Sequence, residues 1–312
     1  MKPLRIGIDL GGTKIAAIAL GRQGKIAAQT TVPTPHGNYE ATLEAIRELI
    51  ASLENDLCTQ ASVGVGMPGS ISPETGLVQN ANSTWLNGRP FDKDLECILG
   101  RPVRLANDAN CFALSEATDG AGKDLACVFG VILGTGCGGG IVRDGAILDG
   151  PRGIAGEWGH NPLPWPDGAE LPGPECWCGR HGCMECWVSG PALSADHMRH
   201  TGEQLDAREI SRRANKNNRH ARSTLARHAS RLARGLASVI NIIDPDVVVL
   251  GGGLSQMPHL YETLPDLLAA HIFADSTDIA VRPPIHGSGS GVRGAAWLWG
   301  GPDGSFSHTS AG

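Results

Sequence analysis

The chain has 312 residues, of which 41% are hydrophobic and 19% charged, and its net charge is −6. That size supports two ordinary domains with a core each, and the apolar content excludes a disordered chain. The acidic balance weighs against a broad nucleic-acid surface, and no apolar run reaches the roughly 18 residues of a membrane helix.

Residues 4–10 alternate and carry an aspartate at position 9, so the opening is expected to be a strand and not a signal peptide. Strands are predicted over 4–10, 13–20 and 25–32, with glycine turns between them, and then an amphipathic helix over Tyr39–Leu57. A strand at 62–66, a helix over Phe91–Leu99, a strand at 103–106 and a helix at 110–117 follow. The opening then returns: Gly7, Leu10 and Gly11 match Gly130, Leu133 and Gly134 at an offset of 123 residues. A second hairpin follows this copy too, which predicts a duplicated βββ unit opening each of two related domains. Helices fill 201–243, and an apolar strand at 246–250 runs into Gly251-Gly252-Gly253, which is expected to open another helix. A last helix at 292–299 is expected to pack back on the first domain, with a frayed tail over 300–312.

The nine cysteines divide into two groups. Cys58, Cys97, Cys111, Cys127 and Cys137 are scattered, which suits a reducing, cytoplasmic setting without a disulfide framework. The other four cluster at 176–186, where Cys176, Cys178 and Cys183 join His160 within 24 residues. One imidazole and three thiolates make a ligand set for a four-coordinate zinc site, with Glu157 and Glu185 beside it. Four protein ligands leave no open position, so the zinc is expected to be structural.

Three glycine turns suggest what this loop faces. Asp9-Leu10-Gly11-Gly12-Thr13-Lys14 sits between two strands, where glycines let backbone N–H groups approach phosphate oxygens and Asp9 can hold magnesium through water. Gly134-Thr135-Gly136 is the second such turn. Gly251, Gly252 and Gly253 follow a buried strand, a place where nucleotide phosphates meet backbone. Together they predict a cleft with one phosphate turn on each wall. Asn107-Asp108-Ala109-Asn110 lies at a strand-to-helix junction, where Asn and Asp cap helices.

These residues, over nearly the whole chain, resemble the ROK family (repressors, open reading frames and sugar kinases). The carriers are Asp9–Lys14, Gly134–Gly136, Gly251–Gly253 and Cys176-x-Cys178-Gly179-x-x-Gly182-Cys183-x-Glu185 with His160. The resemblance implies an α/β, two-domain actin-like ATPase (ribonuclease H-like) fold with a duplicated βββαβα core and an inserted zinc-binding loop. It implies a small domain of 1–107 plus about 292–312 and a large one of 108–291 carrying the zinc loop 157–185. It further implies ATP and magnesium at Asp9, Gly11, Gly12, Thr13, Lys14 and the two later glycine turns. Asp108 matches the catalytic base. Asn107, Glu157, His160 and Glu185 match sugar contacts, with Gly69 and Asn82 from the polar loops 67–70 and 80–88 lining the same side. The Asn80–Gly88 segment and the Ala-Gly-Glu-Trp-Gly-His-Asn-Pro-Leu-Pro-Trp run at Ala155–Trp165 resemble bacterial fructokinases, so fructose is the expected hexose. N-acetylglucosamine, glucose and mannose are the alternatives. ROK repressors carry a helix-turn-helix domain ahead of the core, and a phosphate turn beginning at Asp9 leaves no room for one. A homodimer fits the apolar helices after 220. Nucleic acid and membrane are not expected as partners.

Overall fold

The computed structural model describes residues 4–301, so the expected frayed tail beyond 301 lies outside the described residues. In chain order, Arg5–Leu10 (β1), Lys14–Leu20 (β2) and Ile26–Pro33 (β3) form an antiparallel meander, and Tyr39–Leu57 (α1) follows. Ser62–Met67 (β4), Ser70–Ile71 (β5), Val78–Gln79 (β6), Phe91–Leu99 (α2), Val103–Asn107 (β7) and Asp108–Asp119 (α3) come next. The pattern restarts with Cys127–Leu133 (β8), Cys137–Arg143 (β9) and Ala146–Ile147 (β10). Helices Glu185–Val188 (α4), Gly190–Thr201 (α5), Ala207–Asn215 (α6) and Arg219–Ile243 (α7) precede Val247–Gly251 (β11). Pro258–Ala269 (α8), Ala280–Arg282 (β12) and Ser290–Trp297 (α9) complete the chain.

Two five-stranded sheets result, ordered β3-β2-β1-β4-β7 and β10-β9-β8-β11-β12. Counting only the strands of each sheet in chain order, both run third, second, first, fourth, fifth, so the duplication legible in the glycine spacing is present in the topology. The α/β fold with a repeated meander is thus the predicted one. No helix among the described residues is long and apolar enough to cross a membrane.

The chain divides into two compact units. The first takes the described residues up to Ala126, Gly140–Gly156 and the segment from Ser288; the second takes Cys127–Gly139 and Glu157–Gly287. Helix α3 and residues 140–156 therefore group with the first unit.

In the first unit, Ile6, Ile8, Val63 and Val65 of the sheet are buried with Leu43, Ile46, Leu49 and Ile50 of α1 and Phe91 of α2. Helix α9 packs back onto this unit as predicted, and the fit depends on glycine. A Cβ at Gly7 would stand 2.1 Å from the Val292 carbonyl oxygen, and one at Gly64 1.9 Å from that of Ala295. The two glycines therefore let helix backbone lie directly on strand backbone. Helix α3 starts two residues earlier than predicted because the Asn107 side chain caps it, accepting from Ala109 N at 2.9 Å.

In the second unit, the Gly251–Gly253 turn does not open a helix directly. A 3-10 turn, Gly253–Gln256, intervenes, and α8 begins only at Pro258, whose missing N–H and fixed φ suit a first helical turn. Helix α7 carries Arg231 and Arg234 into the interior, where both meet Glu170 and Arg231 also meets Asp196, at 2.7–2.9 Å. Burial alone would raise the Glu170 carboxyl, but hydrogen bonds from Arg234 and Arg231 outweigh it and hold the group at about 2. Its folded value lies below its unfolded one, so the stabilisation is present above about pH 4.3 and is lost as pH falls toward 2. Glu170→Gln is expected to cost about 3 kcal/mol near neutrality, because the buried Arg234 guanidinium loses its counter-charge and Arg231 is left with Asp196 alone. Denaturant melts at several pH values check this: the gap between wild type and variant should be constant above about pH 5 and shrink below about 4.

Candidate functional site

In the first unit, the β1–β2 connection closes as a tight turn in which Gly11 N donates to the Lys14 carbonyl at 3.0 Å. Thr34 pins it from β3's end, its hydroxyl donating to the Gly11 carbonyl at 2.7 Å. Gly12, Thr13 and Lys14 are exposed at the tip, and Asp9 is partly buried at its base. Burial raises the Asp9 carboxyl above its ordinary value, and Lys14 draws it partly back.

Asp108 stands at the first turn of α3, exposed, with Oδ1 accepting from Ala109 N at 2.8 Å. The buried Cys111 thiol one turn on is pushed well up, first by burial and then by the charges of Asp9 and Asp108. The two carboxylates thus lie near one thiol, which brings the base of the β1–β2 turn and the start of α3 together within this unit. Asn107 both caps α3 and donates from Nδ2 to the Gly69 carbonyl at 3.1 Å. One side chain thus both caps the helix and ties it to the 67–70 loop. Asn82 is exposed on its loop.

A cavity of ≈ 150 Å³ opens beside these residues, lined by Met67, Ser70, Asn107, Asn110 and Asp149 among others. Asn110 Oδ1 is buried there without a hydrogen-bond partner. Asn110 and Asp149 carry no role in the sequence reading. The available signal was the i, i+3 spacing from Asn107 to Asn110, which puts both on one side of the helix start.

In the second unit, β8 and β11 run parallel with Gly251 opposite Ile132, so the turns at Gly134–Gly136 and Gly251–Gly253 leave the same ends of neighbouring strands. Ligands of α/β sheets gather at such carboxyl ends. Thr135 and Gly253 are exposed. Glu185 lies against the first of these turns: its Oε2 accepts from Cys137 N at 2.9 Å, and a Cβ at Gly136 would stand 2.6 Å from that oxygen. A side chain at 136 would therefore push the carboxylate out of this position. Glu157 and His160 flank Trp158, which is buried and donates from Nε1 to the Gly138 carbonyl at 3.0 Å, anchoring the 157–160 segment to β9. Two larger hollows of this unit, ≈ 700 Å³ and ≈ 810 Å³, contain none of the predicted site residues.

The ligand atoms of His160, Cys176, Cys178 and Cys183 all lie within 4.8 Å of one another. Cys178 and Cys183 sulfurs are 3.7 Å apart, and Cys176 Sγ is 3.6 Å from His160 Nδ1. A tetrahedral zinc with the usual bond lengths requires edges of about 3.8 Å between sulfurs and about 3.6 Å from sulfur to nitrogen. The residues fit such an ion, with Nδ1 directed to the cluster. Cys186 is not one of the four grouped donors; its thiol is directed at the Glu175 carbonyl at 3.6 Å and also neighbours Cys176.

The model of the ROK family matches residues 5–301. An N-acetyl-D-glucosamine kinase of Shigella boydii is 39% identical over 296 residues, 94% of this chain and 98% of that protein. Among solved structures, a ROK hexokinase from Thermus thermophilus superposes with a TM-score of 0.83 at 33% identity, covering 94% of this chain and 96% of that one. A ROK glucokinase from Streptomyces griseus in complex with glucose and AMPPNP gives 0.77 at 28% identity, over 95% and 98%. With a family match spanning almost every residue, and relatives alike along their whole length, the chain belongs to the ROK family.

Proposed function

We propose that this protein is an ATP-dependent hexose kinase that phosphorylates the 6-hydroxyl of N-acetyl-D-glucosamine. The observation that carries the choice of sugar is the 39% identity, over 98% of its length, with an enzyme of that name. It takes precedence over the fructose expected from loop resemblance, because it weighs the whole chain and not two segments.

In this reading the sugar 6-oxygen attacks the γ-phosphorus, the bond to the β-phosphate oxygen breaks, ADP leaves, and Asp108 takes the hydroxyl proton. Asn107, Glu157, His160 and Glu185, with Gly69 and Asn82, accept and donate to the remaining hydroxyls. The turns at Gly11–Lys14, Gly134–Gly136 and Gly251–Gly253 cradle ATP through backbone amides. Magnesium, arriving with ATP, neutralises phosphate charge, and Asp9 is the residue to hold it through water. His160, Cys176, Cys178 and Cys183 hold a structural zinc whose role is to fix the His160 ring and leave Nε2 for the sugar. A cytoplasmic setting and a homodimer belong to the same proposal.

Fructose remains the second reading, on one specific feature. The 80–88 loop is a built structure: Asn87 exchanges hydrogen bonds with both backbone groups of Ala81 at 2.9 Å, and Gly12 lies 3.9 Å from the Ser83 hydroxyl by its would-be Cβ. Steady-state kinetics with N-acetylglucosamine, fructose, glucose and mannose decide. The proposal expects the highest kcat/KM for N-acetylglucosamine; a clear preference for fructose would replace it with the second reading.

A further inference from the structure

Trp177 lies between two of the cluster cysteines and is 65% exposed, so burial does not hold its indole in place. Polar and ring contacts do. Its Nε1 donates to Glu185 Oε1 at 2.7 Å, and the indole meets the His160 ring nearly edge-on, with centroids 5.0 Å apart and planes at 86°. Glu185 Oε2 is already bound to Cys137 N at 2.9 Å. The carboxylate is therefore tied at both oxygens, once by a strand amide and once by an indole. Each carboxylate oxygen has about two lone-pair directions, so each keeps one for a hydroxyl. Without the indole, the Glu185 carboxylate would hold one tether and could turn about its terminal bond, which has only a broad preference.

We propose that Trp177 is a positioning residue for the sugar, its indole N–H fixing the Glu185 carboxylate plane so that both oxygens face incoming hydroxyls. This rests on Glu185 being a sugar contact. An indole has a single donor, so phenylalanine at the same place removes the hydrogen bond and keeps a ring beside His160.

The test is sugar affinity of the nucleotide-free, metal-replete protein, measured by titration calorimetry with N-acetylglucosamine and with fructose. Trp177→Phe is expected to weaken binding about ten-fold, the share of one hydrogen bond to a charged group. The ATP KM and the bound-metal stoichiometry should each stay within about two-fold of wild type, since the tie runs through Glu185. In a Glu185→Ala background the same substitution should change sugar affinity by less than about two-fold, because coupled residues do not add. Unchanged affinity in Trp177→Phe, an equal loss in the Glu185→Ala background, or loss of metal alongside the affinity would each overturn the inference. If wild type binds a sugar but phosphorylates none, the kinase reading fails while this comparison still stands. If wild type binds neither sugar, both fail.

Discussion

Asp108→Asn is expected to lose between about a hundred-fold and ten-thousand-fold in kcat, the usual contribution of a general base, while sugar affinity stays within a few-fold. The asparagine is nearly isosteric, and its side-chain oxygen can still accept from Ala109 N as Asp108 does at 2.8 Å, so α3 keeps its start. Only the proton acceptor is removed. Phosphoryl transfer draws much of its rate from positioning and charge neutralisation, which explains why some turnover should persist. Sugar titration beside single-turnover kinetics separates the two quantities. A variant with near-normal turnover would remove Asp108 from the base role, and one that no longer binds sugar would make it a binding residue instead.

The second large effect is removal of the metal. Stripping the proposed zinc from His160, Cys176, Cys178 and Cys183 would leave donor atoms that lie within 4.8 Å of one another without the ion to hold them there. His160 belongs to this set and Glu185 borders it, so sugar affinity is expected to fall at least about ten-fold while nucleotide affinity changes by less than about two-fold. Amide exchange should rise over 157–185 and stay unchanged in β1 and β4. Restoring zinc should reverse both effects. Normal sugar affinity in fully demetallated protein would contradict the link between metal and sugar wall.

The parts of this molecule that sequence reveals are those with a period or a spacing. Gly7, Leu10 and Gly11 with Gly130, Leu133 and Gly134 read as a duplication because leucine and glycine return at one offset, and the identical strand orders of the two sheets bear that out. The metal set was legible because small loops between cysteines leave few other chemistries. The parts that escaped are those set by tertiary contact. The β5–β6 pair has two residues per strand, too short for any alternation. Arg231 and Arg234 look like the polar side of an amphipathic helix, and only the approach of Glu170 and Asp196 shows why they are buried. Trp177 reads as a spacer between cysteines until its hydrogen bond to Glu185 is seen. The choice of sugar was the weakest reading: loop resemblance pointed to fructose, while a relative 39% identical along 98% of its length carries the name of N-acetyl-D-glucosamine kinase.

Incubating the zinc-replete protein with magnesium, ATP and N-acetylglucosamine, and following ADP release and the ³¹P spectrum of the product together, tests the central claim most directly. The account predicts one ADP per sugar consumed and a single phosphomonoester signal coupled to the two protons on carbon 6. ATP left intact with N-acetylglucosamine, fructose, glucose and mannose alike would contradict it.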